Sequence, residues 1–577
     1  MTTEALAGVV LRVNGPLVEV GGLRGAVSLF DLVEVGDQRL PGEVVAIGEE
    51  RLTVQVYEYT GGIAPGAGAW PTGGPLSASL GPWLLGGVFD GLVRPLLGGP
   101  VWLGPGVAGA QPGGVWPVVP SVRQGQDLPK GAVIGTARDP AGREHPIPLP
   151  PGLSGAVAWV APAGEFGPHD RLAVVAGVEV ALSTRWPVRR ARPAKRRLEE
   201  AIPLTTGQRV LDLLEPLAKG STAAVVGGFG TGKTVLLGQL ARWCDADVIV
   251  YVGCGERGNE LADSLDDLGN LEDPRTGRRL SERTVIIANT SNMPVMAREA
   301  SIYAAMTVAE YFRDLGNDVV LIADSTSRWA EALREFSSRS GELPAEEGYP
   351  ASLPSALAAF YERAGRVETL GGKEGSVTVV AAVSPPGGDV TEPVTSHTQR
   401  FVRALWTLDR DLAYARHYPA VSWGGSFSRD AGDLAAWYVR HGDDRWAARR
   451  ARLASLLAEA DRIRPIAELV GLSALPGRER IALLAARLVR EAVLQQSALS
   501  ANDGYAAPAK QAALADAVLA VHDRAQELVV LGVPATLIEE ADFGPVLRAR
   551  DAVGPDDAAG VEAAARLVLA GLPGPPA

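Results

Sequence analysis

The chain has 577 residues, with 67 acidic and 55 basic side chains, a formal net charge of −12 and two cysteines. At about 150 residues per domain its length implies three or four units, and its acidic balance argues against a nucleic-acid surface, which would cluster Lys and Arg against phosphates. Cys244 and Cys254 make no disulfide framework, MTTEALAG lacks the basic-then-apolar order of a secretory signal, and no apolar run reaches the roughly 18 residues of a spanning helix, so any membrane role is indirect.

Residues 1–75 alternate short apolar runs with turn signals, as in GVVLRVNGPLVEV, PGEVVAIGEE and RLTVQVYEY. That pattern predicts a small β-barrel. From 111 to 190 the chain is rich in Gly and Pro, which a flexible linker would also be. VAWVAPAG, RLAVVAGVEVALS and several Trp residues supply apolar runs that a solvated linker lacks, so a compact β-rich insertion is expected. RWPVRRARPAKRRLEE at 185–200 is locally basic and reads as a solvated linker beside a domain.

Between 191 and 432 strand and helix alternate. Strand candidates are TAAVV (222–226), DVIVYVG (247–253), RTVIIA (283–288), DVVLIA (318–323) and SVTVVAAV (376–383). Such alternation predicts a parallel sheet covered on both faces. The loop after the first candidate is GGFGTGKT, which matches G-x-x-x-x-G-K-[ST] with Gly227, Gly232, Lys233 and Thr234 at the fixed positions. A plain strand-to-helix turn would also use glycine. The full pattern between a strand and a helix instead predicts a phosphate cradle, in which backbone N–H groups and a helix start face the anion. Lys233 would reach the β and γ phosphates, and the Thr234 hydroxyl would ligate Mg²⁺.

Two carboxylates extend the pattern. Asp324 ends the apolar run VVLIA, the position from which a Walker-B acid helps hold Mg²⁺ or its water shell. Glu256 lies just beyond DVIVYVG, where ligands of open α/β sheets bind. There it could polarise an attacking water, or simply serve as a helix-start acid. After 433 the chain turns rich in Ala, Leu and Arg at helical spacing, as in RERIALLAARLVREAVLQQ, and a helical bundle is expected over 433–577. There is no internal repeat.

GGFGTGKT, VYVGCGERGNE, ANTSNMPVMAREASIY, LIADSTSRWAEALRE, PAEEGYP, FYERAGR and SPPGGD, in this order and spacing, resemble the catalytic A subunit of V/A-type rotary ATPases. The resemblance runs over nearly the whole chain and includes the 111–190 insertion, which the related F-type β subunit and the non-catalytic B subunit lack. It implies a RecA-like P-loop domain that opens at 76–110 and resumes over 191–432. It further implies that Gly228, Phe229, Gly230, Thr231, Gly232, Lys233, Thr234 and Val235 bind ATP or ADP and that Thr234 and Asp324 serve Mg²⁺. Glu256 would activate water and Arg257 would stand beside the phosphates. Tyr418 in RHYPAVSW would pack on adenine, although a core aromatic would read the same way. Lys233, Glu256 and Arg257 are thus the expected catalytic set.

The resemblance also implies partners. Three copies would alternate with three B-type non-catalytic subunits around a central shaft, with peripheral stalks, on the cytoplasmic face of a membrane sector moving H⁺ or Na⁺. No nucleic acid is expected. Neither Arg257 nor Arg328 is obviously placed to close the site from the far side, so an arginine supplied in trans by the B-type neighbour is expected. A homohexameric motor resembling the Rho terminator and a non-catalytic nucleotide-binding subunit are the alternatives; the carboxylate of Glu256 separates the last from the leading reading. The chain departs from the family at Gly228, usually Pro or Ala; at Ser352, Pro354 and Ala356 after PAEEGYP; at Leu499, usually aromatic; and at Thr231, where some relatives carry Cys.

Overall fold

The computed structural model describes residues 7–96, 114–259, 269–273 and 276–574. They form two compact units, 1–199 with 246–383 and 391–401, and 200–245 with 384–390 and 402–577. The barrel, the parallel α/β architecture and the helical end expected from the sequence are all present.

In the first unit six strands close a barrel: Gly8–Asn14, Leu17–Gly21, Asp31–Val35, Leu40–Ile47, Arg51–Val56 and Gly68–Pro75. Alternation in LVEVG and RLTVQV sends Val18, Val20, Leu52 and Val54 inward, where they join Val33, Val35 and Leu40 in one core. Ser77–Leu80 then pairs with Thr184–Pro187. Between these strands, from residue 114, two four-stranded sheets enclose Val118, Ile134, Ile147, Val157, Leu172 and Val175. The Gly/Pro-rich stretch is therefore folded; its first residues, 111–113, and residues 97–110 of the expected opening of the nucleotide-binding domain lie outside the described residues.

The parallel sheet of this unit contains β1 (Val88–Asp90), β2 (Val248–Glu256), β3 (Thr284–Thr290), β4 (Asp318–Asp324) and β5 (Glu374–Val383). Its order is β5-β4-β2-β3-β1, all parallel. Continuous burial along β2 and β4 explains why their sequences are unbroken apolar runs. Helix α1 (Val295–Asp314) packs on β2 and β4, and α2 (Thr326–Ser340) packs on α1. Pro354 stands in the first turn of the helix Leu353–Tyr361, where a missing N–H costs nothing.

The basic stretch 185–200 is not a solvated linker. Arg189 grips Glu43 of the barrel at 2.8 and 2.9 Å and Glu299 of α1 at 2.6 and 3.0 Å. Arg192 reaches Asp314 at 2.7 Å, and Arg196–Arg197 pairs with Gly365–Glu368. Arg189, Arg192, Lys195 and Arg196 of this stretch pair with acids far away in sequence, which no local pattern reveals, while Arg185 and Arg190 are exposed.

In the second unit the strand Thr222–Val226 runs parallel to Ala404–Thr407 and continues through the glycine-rich loop into the helix Lys233–Trp243. Its C-terminal part is helical: Ala431–Arg440, Trp446–Val470, Gly477–Leu488, Pro508–Val530, Ala535–Glu539, Gly544–Ala552 and Ala558–Gly571. Leu453, Leu456, Leu457, Ala460 and Ile463 form the buried stripe of the long second helix of that set, at the spacing read in the sequence.

Candidate functional site

The glycine-rich loop is shaped by its own side chains. The fully buried strand TAAVV ends at Val226. Gly227 then passes so close to Thr231 Oγ1 and Leu408 that a β-carbon would lie 2.7 and 2.8 Å from them. The Thr231 hydroxyl donates to the Gly228 carbonyl at 2.8 Å and closes the turn. Gly230 and Gly232 have φ of 79° and 92°, a region in which only glycine is unstrained. The Lys233 ammonium folds back to donate to the carbonyls of Gly227 and Gly228. No side chain caps the helix that begins at Lys233. A helix start without a side-chain cap, next to a lysine, suits a polyphosphate. Thr234 is an exposed residue whose hydroxyl is a hard oxygen donor of the kind Mg²⁺ accepts. Phe229 is 94% exposed and Val235 60% exposed.

Tyr418 belongs with this loop. Its ring carbon Cε1 lies 3.6 Å from where a β-carbon of Gly232 would stand, and the ring is 43% exposed. The Tyr418 carbonyl accepts the N–H of Gln496 at 2.7 Å, which ties the loop's aromatic to the LQQ segment. Leu499, where the family usually carries an aromatic, is 99% exposed.

In the other unit the carboxylates sit at strand ends. Strand β2 runs three residues past its expected end to include Glu256, and Gly253 pairs in register with Asp324 on β4. Asp324 is 6% exposed and accepts the Tyr251 hydroxyl at 3.1 Å, which holds one oxygen of an otherwise costly buried acid. The Glu256 carbonyl accepts the N–H of Ser291 at 2.9 Å. Arg257, one residue on, is exposed. Arg328 lies on α2, 3.1 Å from Glu331. Burial pushes the Cys254 thiol up to about 12, so it is an inert neutral group beside Ser301.

The structure thus brings Gly227 to Val235 together with Tyr418 in one unit, and Glu256 and Asp324 on neighbouring strands, with Arg257 just beyond the first, in the other. Sequence reasoning missed Tyr251 and Arg298, the latter beneath the Gly255 bulge. A signal existed for Arg298: with Glu299 it is one of two adjacent charges in AREASIYAAM, a segment that is otherwise mostly apolar.

Comparison with known proteins points one way. The model of the ATP synthase alpha/beta family nucleotide-binding domain matches residues 207–428, and the family's beta-barrel domain matches 10–73. The alpha/beta subunit barrel-sandwich domain matches 112–189, and the C-terminal domain of V and A type ATP synthase matches 435–536. A V-type ATP synthase alpha chain of Anaeromyxobacter dehalogenans is 49% identical over 93% of this chain and 94% of its own length. The A subunit of an A-type ATP synthase from Methanopyrus kandleri is 48% identical over 94% and 93%, respectively. Among solved structures, the assembled ATPase EscN from the enteropathogenic E. coli type III secretion system superposes with a TM-score of 0.65 at 22% identity, over 89% of this chain and 100% of EscN. That likeness concerns the fold.

Proposed function

This chain belongs to the family of V-type alpha and A-type A subunits of ATP synthases, and we propose that it is the catalytic subunit of such a complex, forming or hydrolysing ATP. The observation that carries this reading is the loop closed on Lys233, with positive-φ glycines and an uncapped helix start. Relatives of this identity are named as ATP synthase chains, which favours this reading over a nucleic-acid motor.

The loop amides and Lys233 bind the phosphates of ATP or ADP, and Tyr418 supplies a face for adenine. Glu256 polarises the attacking water, and Arg257 stands beside the phosphates. Mg²⁺, when bound, neutralises developing charge on the phosphoryl oxygens; Thr234 and Asp324 are the residues that would serve it. The chain acts peripherally on the cytoplasmic face of a membrane complex, alternating with a B-type subunit, contacting shaft and stalks, and coupled to H⁺ or Na⁺ movement. Among the described residues, no helix is long and apolar enough to cross a membrane.

The test uses the purified chain alone and with its B-type partner. A transition-state arginine supplied in trans is worth about 10³ to 10⁵ in rate, so the isolated chain binds Mg·ATP and turns it over slowly, and the partner restores the rate. Full-speed hydrolysis by a proven monomer overturns the arrangement.

A further inference from the structure

Helix α1 is buried at every residue from Met296 to Arg313, so each charge it carries needs compensation. Glu299 has Arg189, at 2.6 and 3.0 Å. Glu310 has Arg363 at 2.7 Å and the N–H of Arg192 at 2.9 Å. Arg313 donates to Asp314 at 2.6 Å and to the Arg192 carbonyl at 3.1 Å.

Arg298 is the exception. It is 7% exposed, yet its Nε has no hydrogen-bond partner among the described residues, and its Nη2 reaches only the Ser291 carbonyl, at 3.4 Å. Nearby acids are engaged elsewhere, Glu331 with Arg328 and Glu335 with Arg339.

What the guanidinium touches is the bulge at Gly255, in the end of β2 that carries Glu256. A β-carbon on Gly255 would lie 2.8 Å from Arg298 Nε and 2.9 Å from Cζ, so only glycine admits the contact. Gly255 also has a φ of 71°. On the other side Ser291, whose carbonyl takes Nη2, gives its own N–H to the Glu256 carbonyl. One turn along α1, Ser301 donates to the Arg298 carbonyl at 2.8 Å and meets Cys254 Sγ at 3.3 Å. Arg298 is therefore in contact with both main-chain segments that fix Glu256. Its free side lines an open cavity of about 760 Å³.

We propose that Arg298 is a positioning residue for Glu256: its flat guanidinium supports the Gly255 bulge and the Ser291 backbone, and through them sets the direction of the carboxylate. The inference rests on the reading of Glu256 as the group that polarises water. A flat cation suits the task because it stacks on a bare glycine peptide and reaches a second carbonyl at once, which an ammonium cannot do. A misaimed base loses transition-state stabilisation without losing substrate, so the effect falls on kcat and not on nucleotide affinity.

The test uses the assembled complex carrying Arg298→Ala, Arg298→Lys or Glu256→Gln. Hydrolysis and fluorescent-nucleotide affinity are measured with and without added methylguanidinium. Arg298→Ala should keep its affinity, lose on the order of 10- to 100-fold in kcat, and regain several-fold when methylguanidinium enters the vacated space. Arg298→Lys should fall between Arg298→Ala and the unaltered chain. Glu256→Gln should be inactive and beyond rescue. Unaltered kcat in Arg298→Ala overturns the proposal, and so does a parallel loss of affinity and rate without rescue. If Arg298→Ala does not assemble, Arg298→Lys decides: reduced kcat at constant affinity supports the proposal, and unchanged kcat overturns it. An active Glu256→Gln would instead overturn the reading of Glu256 itself.

Discussion

The guanidinium of Arg209 stands 2.6 Å from the carboxylate of Asp503, and neither side chain has more than 1% of its surface in solvent. Arg209 also donates to the carbonyls of Val493 and Gln495, next to the Gln496 whose N–H holds Tyr418. Nearby, the Lys510 ammonium donates to three carbonyls, those of Asn502, Arg550 and Val553. The pair therefore anchors the segment that steadies the aromatic beside the phosphate loop.

Removing one partner leaves the other charge buried without compensation, which costs about 3–5 kcal/mol. Asp503→Ala should destabilise the chain by that amount in urea titration. The double variant Arg209→Met, Asp503→Leu should recover much of the loss, because the unpaired charge is gone. A single variant within about 1 kcal/mol of the unaltered protein would contradict this account.

His417, next to Tyr418, gives a pH dependence. Burial, with Arg490 and Arg550 nearby, lowers its pKa from 6.5 to about 4. Above pH 6.5 the ring is neutral in folded and unfolded chains alike. As pH falls from 6.5 towards 4 the unfolded chain binds a proton that the folded one refuses, and stability on the order of 3 kcal/mol is lost. Unfolding measured from pH 7 to pH 4 should show a flatter decline for His417→Asn. Equal slopes would place the acid sensitivity elsewhere.

Lys233→Ala removes the cation that now bonds the Gly227 and Gly228 carbonyls and that would face the β and γ phosphates. Nucleotide binding, followed by calorimetry, should fall below detection, since charge-assisted bonds to phosphate are the strong ones. Near-normal ATP affinity would remove the basis of the phosphate-loop reading.

The loop was legible because its chemistry is local: the glycines, Lys233 and Thr234 lie within eight residues, and the turn they build is closed by Thr231 on Gly228. Strand β4 was legible for the same reason, its apolar run ending on the acid that terminates it. Strand β2 was read three residues short, because GCGE carries two glycines that look like a loop, while pairing with β3 resumes at Glu256 beyond a bulge at Gly255. Arg189 and Arg192 were misread because their acids lie more than a hundred residues away. Arg298 was passed over for a similar reason: its neighbours Gly255 and Ser291 come to it only through the sheet.

The central claim is that this chain catalyses ATP chemistry and that Glu256 polarises the water. Glu256→Gln keeps the shape of the side chain and removes its charge. In the assembled complex, single-turnover hydrolysis of Mg·ATP measured beside nucleotide affinity tests the claim most directly. The account predicts unchanged affinity with turnover reduced to background. Hydrolysis at a rate close to that of the unaltered complex would contradict it.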